Sequence, residues 1–209
     1  HTTCRRQRQM CIRDSSLTEA WLVFICLGAL SIYLLTLTNI NTMLVSILFA
    51  ILIVIYPLTK RFFIGPQLFL GLTFNPTVIV YAMTEELSNP TMGYLFFAIA
   101  SQTIAFDSFY GLCDEKDDRD LKINSTPIWW GKNTLKIIAC FQISSILLLG
   151  TIGLIDKLEL IWFASLIMLG GFFLYQQKLA SEKKYLEAFK NNHWANLLIL
   201  ITAILCYVA

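Results

Sequence analysis

The stretch "AFDSFYGLCDEKDDRDLKINST", residues 105–126, begins inside the end of the apolar run "YLFFAIASQTIAF", residues 94–106. Six carboxylates lie between Asp107 and Asp120, although the whole chain has only 14. Asp107 comes before the apolar character has ended, so we expect it at membrane depth. Ionisable groups at that depth are energetically costly and by default indicate a function. This junction therefore predicts a membrane helix with a functional site at its end.

The rest of the chain has the composition of a membrane protein. It has 209 residues, of which 56% are hydrophobic and 14% charged, and its mean hydropathy is +0.64. A helix that crosses a bilayer needs about 20 mainly apolar residues. The fold class predicted is an all-α, polytopic transmembrane helix bundle, in which Asn75-Pro76 breaks or kinks one span. Seven spans are predicted, at residues 20–38, 42–58, 66–83, 92–112, 135–154, 160–177 and 193–209.

The basic residues predict the orientation of these spans. After residue 15 the chain has 12 lysines and arginines, and all but Lys157 lie in alternate loops. The positive-inside rule makes those loops cytoplasmic, and with them the Asp-rich loop. A bacterial inner membrane is the expected location. The net charge of +2 is too small to indicate nucleic-acid binding, so we expect these residues to serve topology and contacts with membrane lipid.

The first 15 residues, "HTTCRRQRQMCIRDS", do not resemble the remainder of the chain. Residues 5–15 can be back-translated, over consecutive codons, into a sequence that resembles a transposase-type sequencing adapter. A native basic arm or the start of a signal peptide is the alternative. We predict that residues 1–15 are a translated adapter and that the native domain occupies residues 16–209. Without the first 15 residues, the remaining 12 basic and 13 acidic residues give a net charge of −1.

The acidic residues have the spacing of one helix face. Asp107, Tyr110, Asp114 and then Asp117 or Asp118 recur at steps of three or four residues. Carboxylates grouped in this way repel one another unless some are protonated or a cation binds. Mg²⁺ is usually held by one or two carboxylates together with substrate phosphates and water. A solvated acidic loop is the alternative, but it does not account for Asp107.

Nearby basic residues could contact phosphate oxygens. They are Lys60, Arg61, Lys116, Arg119 and Lys122. Together with the carboxylates they predict a diphosphate that is bound through Mg²⁺ at the cytoplasmic surface of the membrane.

The longest motif resembles a known family. "FDSFYGLCDEKDDRDLKINSTPIWWG", residues 106–131, resembles without a gap the second aspartate motif of the UbiA superfamily of intramembrane prenyltransferases, Y-D-T-x-Y-A-x-x-D-x-x-D-D-x-x-x-G-x-K-S-T-A. The segment "VIYPLTKRFFIGPQLFLGLTFN", residues 54–75, resembles another family segment, Y-P-x-x-K-R…P-Q-x-x-L-G-x-x-F. The resemblance covers about residues 17–209. It is strongest to members that prenylate 4-hydroxybenzoate for ubiquinone synthesis.

The resemblance implies roles for individual residues. Asp114 and Asp118 would be Mg²⁺ ligands, and Lys60 and Arg61 would contact the diphosphate. The other implied site residues are Asp107 and Tyr110 facing the cavity, Asp117 in support, and Lys122 and Ser125 on the diphosphate. The implied fold is a bundle of nine spans, of which seven are present, around a cavity that opens to lipid. The implied reaction transfers a polyprenyl group from polyprenyl diphosphate to the carbon ortho to the phenol of 4-hydroxybenzoate.

The chain departs from the family pattern in two ways. Lys122 and Asn124 stand where the family has glycine and lysine, and Lys122 could replace that lysine if the segment is helical. The family's first aspartate motif, N-D-x-x-D-x-x-x-D, would lie upstream of Leu17 and is absent, so we expect this fragment to be inactive. Two other functions stay open. One is a related enzyme that acts on a naphthoate, homogentisate or haem, and the other is a cation-coupled transporter.

Overall fold

The structure of the protein is a computed structural model that describes residues 16–207. All regular elements of this part are helical, which confirms the predicted all-α fold class. The prediction that residues 1–15 are foreign lies outside the described residues. The helices are α1 (Leu17–Thr36), α2 (Ile40–Phe62), α3 (Pro66–Thr73), α4 (Thr77–Met83), α5 (Pro90–Asp120), α6 (Thr126–Trp130), α7 (Thr134–Ile155), α8 (Leu160–Ser181) and α9 (Tyr185–Tyr207), with a 3₁₀ turn at Gly131–Asn133.

Within residues 16–207, five helical segments are long and apolar enough to cross a membrane. They match five of the seven predicted spans. They are Leu17–Thr36, Ile40–Phe62, Pro90–Asp120, Thr126–Ile155 and Leu160–Ser181. The seventh predicted span lies in α9, which begins at Tyr185 and carries the polar residues 190–193 in its first half. The third predicted span is divided between α3 and α4.

The break between α3 and α4 is centred on Asn75 and Pro76, as predicted. Asn75 is buried, and its Nδ2 donates a hydrogen bond of 2.8 Å to the backbone carbonyl of Phe96. Its Oδ1 accepts from the hydroxyl and the backbone N–H of Thr77, at 2.7 and 3.2 Å. Irregular backbone at membrane depth is tolerated where protein groups bond its polar atoms. The Asn75 side chain therefore stabilises the break.

The prediction of an Asp-rich loop is wrong, because α5 continues through the acidic residues to Asp120. Charged residues lower the hydropathy, but glutamate, lysine and arginine are good helix formers. Arg119 also pairs with Glu115 one turn earlier, at 2.8 Å. With 31 residues, α5 is about 46 Å long, whereas the hydrocarbon core of a bilayer is about 30 Å thick.

The bundle is organised around α5, which packs against α3, α7 and α9, while α8 packs against α7 and α9. The core between α7 and α8 contains Leu149, Trp162, Leu169 and Phe173. A second cluster lies nearer the acidic end of α5 and includes Phe109. By contrast, α1 has no buried residue.

The end of the bundle far from the acidic residues is closed by hydrogen bonds to Asp156, which comes directly after α7. Its Oδ1 accepts from Thr91 near the start of α5, at 3.0 Å. Its Oδ2 accepts from the Tyr207 hydroxyl at the end of α9, at 2.5 Å. This carboxylate therefore links three helices at one end.

A network of side-chain amides connects α7, α8 and α9 in the interior. Gln142 Nε2 donates to Gln176 Oε1 at 2.8 Å, and Gln176 Nε2 donates to Asn191 Oδ1 at 3.2 Å. Gln177 Nε2 donates to Gln142 Oε1 at 2.8 Å. Gln142 and Gln176 are both buried, so these bonds replace the water that their amides lose on folding.

Four helices are followed by a residue with positive φ, a left-handed conformation in which glycine is usual, and in all four that residue carries a side chain. After α5, Lys122 has φ 53, its N–H donates to the Arg119 carbonyl, and the Ile123 N–H donates to the Asp118 carbonyl. This is the Schellman arrangement, whose left-handed residue is usually glycine. Positive φ values come after three other helices, at Glu85, Lys157 and Lys183.

We predict that Lys122→Gly stabilises the protein by about 1 kcal/mol, because glycine removes the steric cost of the left-handed conformation. The matched control is Lys116→Gly, which also exchanges an exposed lysine for glycine but lies inside α5. That change should destabilise by about 1 kcal/mol. Thermal unfolding in detergent measures both, and a shift of the same sign in the two variants would contradict the expectation.

Candidate functional site

Three of the predicted acids lie on one face of α5. At 100° per residue, Asp107, Gly111, Asp114 and Asp118 fall within about 60° of one another. Asp114 and Asp118 are only 6% and 7% exposed, and Asp107 is half-buried. A solvated acidic face would leave such carboxylates open to water. The burial of Asp114 and Asp118 therefore argues against the alternative of a solvated acidic loop, and their role as site residues stays a prediction.

Tyr110 and Asp117 lie on one flank of this face and are half-buried. The Tyr110 ring packs on Phe189 of α9, with 5.2 Å between ring centroids. Phe106, one turn before Tyr110, contacts the same ring at 5.8 Å. An aromatic group shared by α5 and α9 thus lies beside the acidic face.

On the other side, α3 and α6 approach α5 very closely. A Cβ at Gly111 would lie 3.0 Å from Pro127 Cγ and 3.2 Å from Gln67 Nε2. A Cβ at Gly71 would lie 2.8 Å from the Ala100 carbonyl oxygen. Gly71 is needed for this close approach, since real Cβ atoms essentially never lie 2.8 Å from a backbone oxygen, and a side chain at Gly111 would press against Pro127 and Gln67. The sequence between α5 and α6 is thereby held next to the acidic face.

The residues between α5 and α6, 121–125, form the connecting segment, and Thr126 begins α6. The Asn124 N–H donates to the Lys60 carbonyl at 2.9 Å, which brings the end of α2 to the site. Thr126 N–H donates to Gln67 Oε1 at 2.8 Å, and the hydroxyls of Thr126 and Ser108 share a hydrogen bond of 2.9 Å. The predicted groups at 60–61 and 122–125 therefore meet at one end of α5.

Ser125 differs from its neighbours in this segment. It is 1% exposed, and among the described residues its hydroxyl is the buried side-chain polar atom that lacks a hydrogen-bond partner. A buried hydroxyl without a partner costs about 1–3 kcal/mol. Such groups in a native structure call for an explanation, and a ligand is one.

The predicted cations differ in their placement. Lys60 is half-buried, whereas Arg61 and Lys122 are exposed. The idea that Lys122 replaces the family's lysine by lying one turn from residue 124 is wrong, because Lys122 is in a left-handed turn and residues 123–125 are not helical. Arg119 is paired with Glu115 on the outer surface of α5.

The residues present fit Mg²⁺ only if a bound diphosphate supplies the other ligands of the ion. The described residues contain no group of three or more His, Cys, Asp and Glu side chains that could hold a metal ion. Asp114 and Asp118 offer hard oxygen atoms from consecutive turns of one helix. Mg²⁺ is commonly bound by one or two carboxylates plus substrate phosphates, so these two suit an ion that arrives with a diphosphate.

Two apolar cavities adjoin the helix break, and Pro76 lines both. One has a volume of about 370 Å³ and lies between α5 and α9, lined by Gln102, Phe106 and Asn196 among others. The other has a volume of about 290 Å³ and lies against α2, lined by Phe49 and Phe74 among others. The first cavity extends along α5 as far as Phe106, so an apolar chain could lie along the part of α5 that precedes the acidic face.

Sequence reasoning missed the part played by Gln67. It stands directly after Pro66 in an apolar run and is 2% exposed. A lone amide in such a run is a signal that a partner is needed inside the protein. The identity of that partner, 59 residues away, could not be read from the spacing.

The sequence profile of the UbiA prenyltransferase family matches residues 3–206. A 4-hydroxybenzoate octaprenyltransferase of Marinomonas sp. (strain MWYL1) is 37% identical over 175 residues, which cover 83% of this chain and 62% of that relative. A 4-hydroxybenzoate octaprenyltransferase of Shewanella loihica (strain ATCC BAA-1088 / PV-4) is 31% identical over 206 residues, which cover 97% and 72%.

Solved structures show the same fold. The apo structure of a UbiA homolog from Aeropyrum pernix K1 superposes with a TM-score of 0.82 at 21% identity, over 98% of this chain and 78% of that one. A structure of digeranylgeranylglyceryl phosphate synthase gives a TM-score of 0.67 at 14% identity, over 92% and 70%. The family profile matches nearly the whole length of this chain, and the fold is shared with these solved structures. The chain therefore belongs to the UbiA prenyltransferase family.

Proposed function

We propose that this chain is the carboxyl-terminal part of an intramembrane prenyltransferase that joins a polyprenyl group to 4-hydroxybenzoate, ortho to the phenol, in ubiquinone synthesis. The observation that carries the proposal is the burial of Asp114 and Asp118 on one face of a membrane helix. The names of the Marinomonas and Shewanella relatives support the choice of acceptor.

In this proposal the diphosphate binds between the acidic face of α5 and the connecting segment. Asp114 and Asp118 would hold Mg²⁺, which when bound would stabilise the negative charge that develops on the leaving diphosphate. Lys60 and Arg61 contact the phosphate oxygens, and Lys122 and Ser125 approach from the connecting segment. Preorganised groups of this kind stabilise charge as it develops.

The chemistry also needs a dry chamber. The bond between the allylic carbon and the diphosphate oxygen breaks, and the aromatic carbon forms the new carbon–carbon bond and gives up its proton. Water would otherwise capture the allylic cation. The cavity between α5 and α9 supplies apolar walls for the isoprenoid. Asp107, the deepest carboxylate of the face, is the proposed proton acceptor, with Tyr110 beside it and Asp117 in support.

We place the protein in a bacterial inner membrane, with the acidic end of α5 in the cytoplasm. The distribution of lysine and arginine supports this orientation. We also propose that residues 16–209 form the native domain and that the family's first aspartate motif and two further helices belong before it. A chimera in which the upstream segment of the Marinomonas relative precedes Ser16, here called the extended enzyme, is the form in which activity is expected.

The metal assignment predicts the effect of removing single carboxylates. In the extended enzyme, Asp114→Ala or Asp118→Ala should lower product formation at least about 100-fold, since a bound metal contributes several kcal/mol of charge stabilisation. The matched control is Asp120→Ala, which removes an exposed acid from the same helix end and should stay within about twofold.

Product is measured by chromatography of membranes supplied with geranyl diphosphate, 4-hydroxybenzoate and Mg²⁺, and insertion by recovery of each variant in the membrane fraction. EDTA should abolish product, and added Mg²⁺ should restore it. Turnover at the wild-type rate in either aspartate variant would refute the metal assignment.

The acceptor is tested by competition in the same membranes. We expect diphosphate release to require an isoprenyl diphosphate and 4-hydroxybenzoate together, and homogentisate or a hydroxynaphthoate to support less than a tenth of that rate, because a site formed for one polar arrangement rejects others strongly. Preference for another acid would identify a related enzyme. Movement of solute across sealed vesicles without diphosphate release would instead indicate a transporter.

A further inference from the structure

Gln67 is a buried amide that connects α3 to a distant part of the chain. It lies in the first turn of α3, and its Oε1 accepts the Thr126 N–H at 2.8 Å. That N–H belongs to the first turn of α6 and so has no partner within its own helix. The side chain of Gln67 therefore does for α6 what a capping residue usually does.

Two further hydrogen bonds hold the same segment. The Thr126 hydroxyl bonds to Ser108 on α5 at 2.9 Å, and the Asn124 N–H bonds to the Lys60 carbonyl at 2.9 Å. Residues 124 and 126 are thus fixed to α2, α3 and α5, which are different elements. Gly111 leaves the space that this requires, since its missing Cβ would lie 3.2 Å from Gln67 Nε2.

Ser125 lies between these two fixed residues. It is buried, yet its hydroxyl has no partner in the described part of the chain. A segment free to move would turn such a hydroxyl towards water or a carbonyl, because leaving a buried hydroxyl unpaired is energetically costly. The hydrogen bonds of residues 124 and 126 restrain the backbone on both sides of Ser125. They offset the cost of leaving the buried hydroxyl without a partner.

We propose that Gln67 is a positioning residue, which holds Ser125 so that its hydroxyl donates a hydrogen bond to the substrate diphosphate. This inference rests on the proposed function, because the ligand is the diphosphate of that reaction. Holding the group in place before the ligand arrives lowers the ordering cost of binding. Gln67 acts through Ser125 and does not touch the substrate itself.

The first test uses the chain without ligand, in detergent. Ser125→Ala removes the unpaired hydroxyl and should raise the thermal unfolding midpoint, whereas a hydroxyl with a structural role would lower it on removal. Gln67→Met should lower the hydrogen-exchange protection factor of the Thr126 amide at least tenfold. Gln67→Glu, which keeps an acceptor oxygen, should leave that protection factor unchanged. A lower midpoint for Ser125→Ala, or unchanged protection in Gln67→Met, would overturn the proposal.

The second test is a double-mutant cycle on the extended enzyme. The probe is geranyl thiolodiphosphate with Mg²⁺, and its Kd is measured by calorimetry. Gln67→Met and Ser125→Ala should each raise the Kd at least tenfold. The Kd of the double variant should not exceed the higher of the two single-variant values, because the two residues act through one contact. The matched control is Gln142→Met, which loses another buried amide but bonds to Gln176, and its Kd should stay within twofold.

Gln67→Asn, whose amide is one methylene too short to reach Thr126, replaces Gln67→Met in the cycle if the latter does not fold. Additive effects of the two substitutions, or a Kd for the Gln67 variant equal to that of the wild type, would refute the positioning role alone. Failure of the wild-type extended enzyme to bind the probe would refute the diphosphate site and, with it, this role.

Discussion

The distance between α5 and its neighbours α3 and α6 is the constraint on which the site depends. Gly71 allows α3 to lie against α5, and a side chain at Gly111 would press on Pro127 and on Gln67, whose amide accepts the Thr126 N–H. Asp114 and Asp118, which are buried, come after Gly111 on the same face of α5. At the other end of α5, Asp156 links Thr91 to Tyr207, so the helix is fixed at both ends.

The buried polar side chains of the described residues are hydrogen-bonded, with one exception. Both ends of the Asn75 amide are bonded at the helix break, and the amides of Gln142, Gln176 and Gln177 bond to one another. A lipid environment enforces this pairing, because no water is present to replace a missing partner. Ser125 is the exception among the described residues, and natural proteins tend to break such local rules at functional sites.

Much of the fold could be predicted from the sequence, because hydropathy and helical spacing are local properties. They identified five of the seven predicted spans, the break at Asn75-Pro76 and the shared face of Asp107, Asp114 and Asp118. Hydropathy placed the end of the fourth span at residue 112, whereas α5 continues to Asp120, with Arg119 paired to Glu115 one turn earlier. The left-handed turn at Lys122 and the contact of Gln67 with Thr126 could not be predicted, since both depend on where other helices lie.

The length of α5 has a consequence for how substrate would be collected. Asp107 lies about 26 Å along a helix of about 46 Å. If α5 starts at the far edge of a hydrocarbon core of about 30 Å, the remaining acids reach the headgroup layer. A polyprenyl diphosphate has its charged group in that same layer and its tail in the lipid. In the proposed reaction it would reach the site by lateral diffusion, in two dimensions. Its effective concentration would then be a mole fraction of lipid, and diluting the bilayer with inert lipid would slow turnover even at constant total substrate.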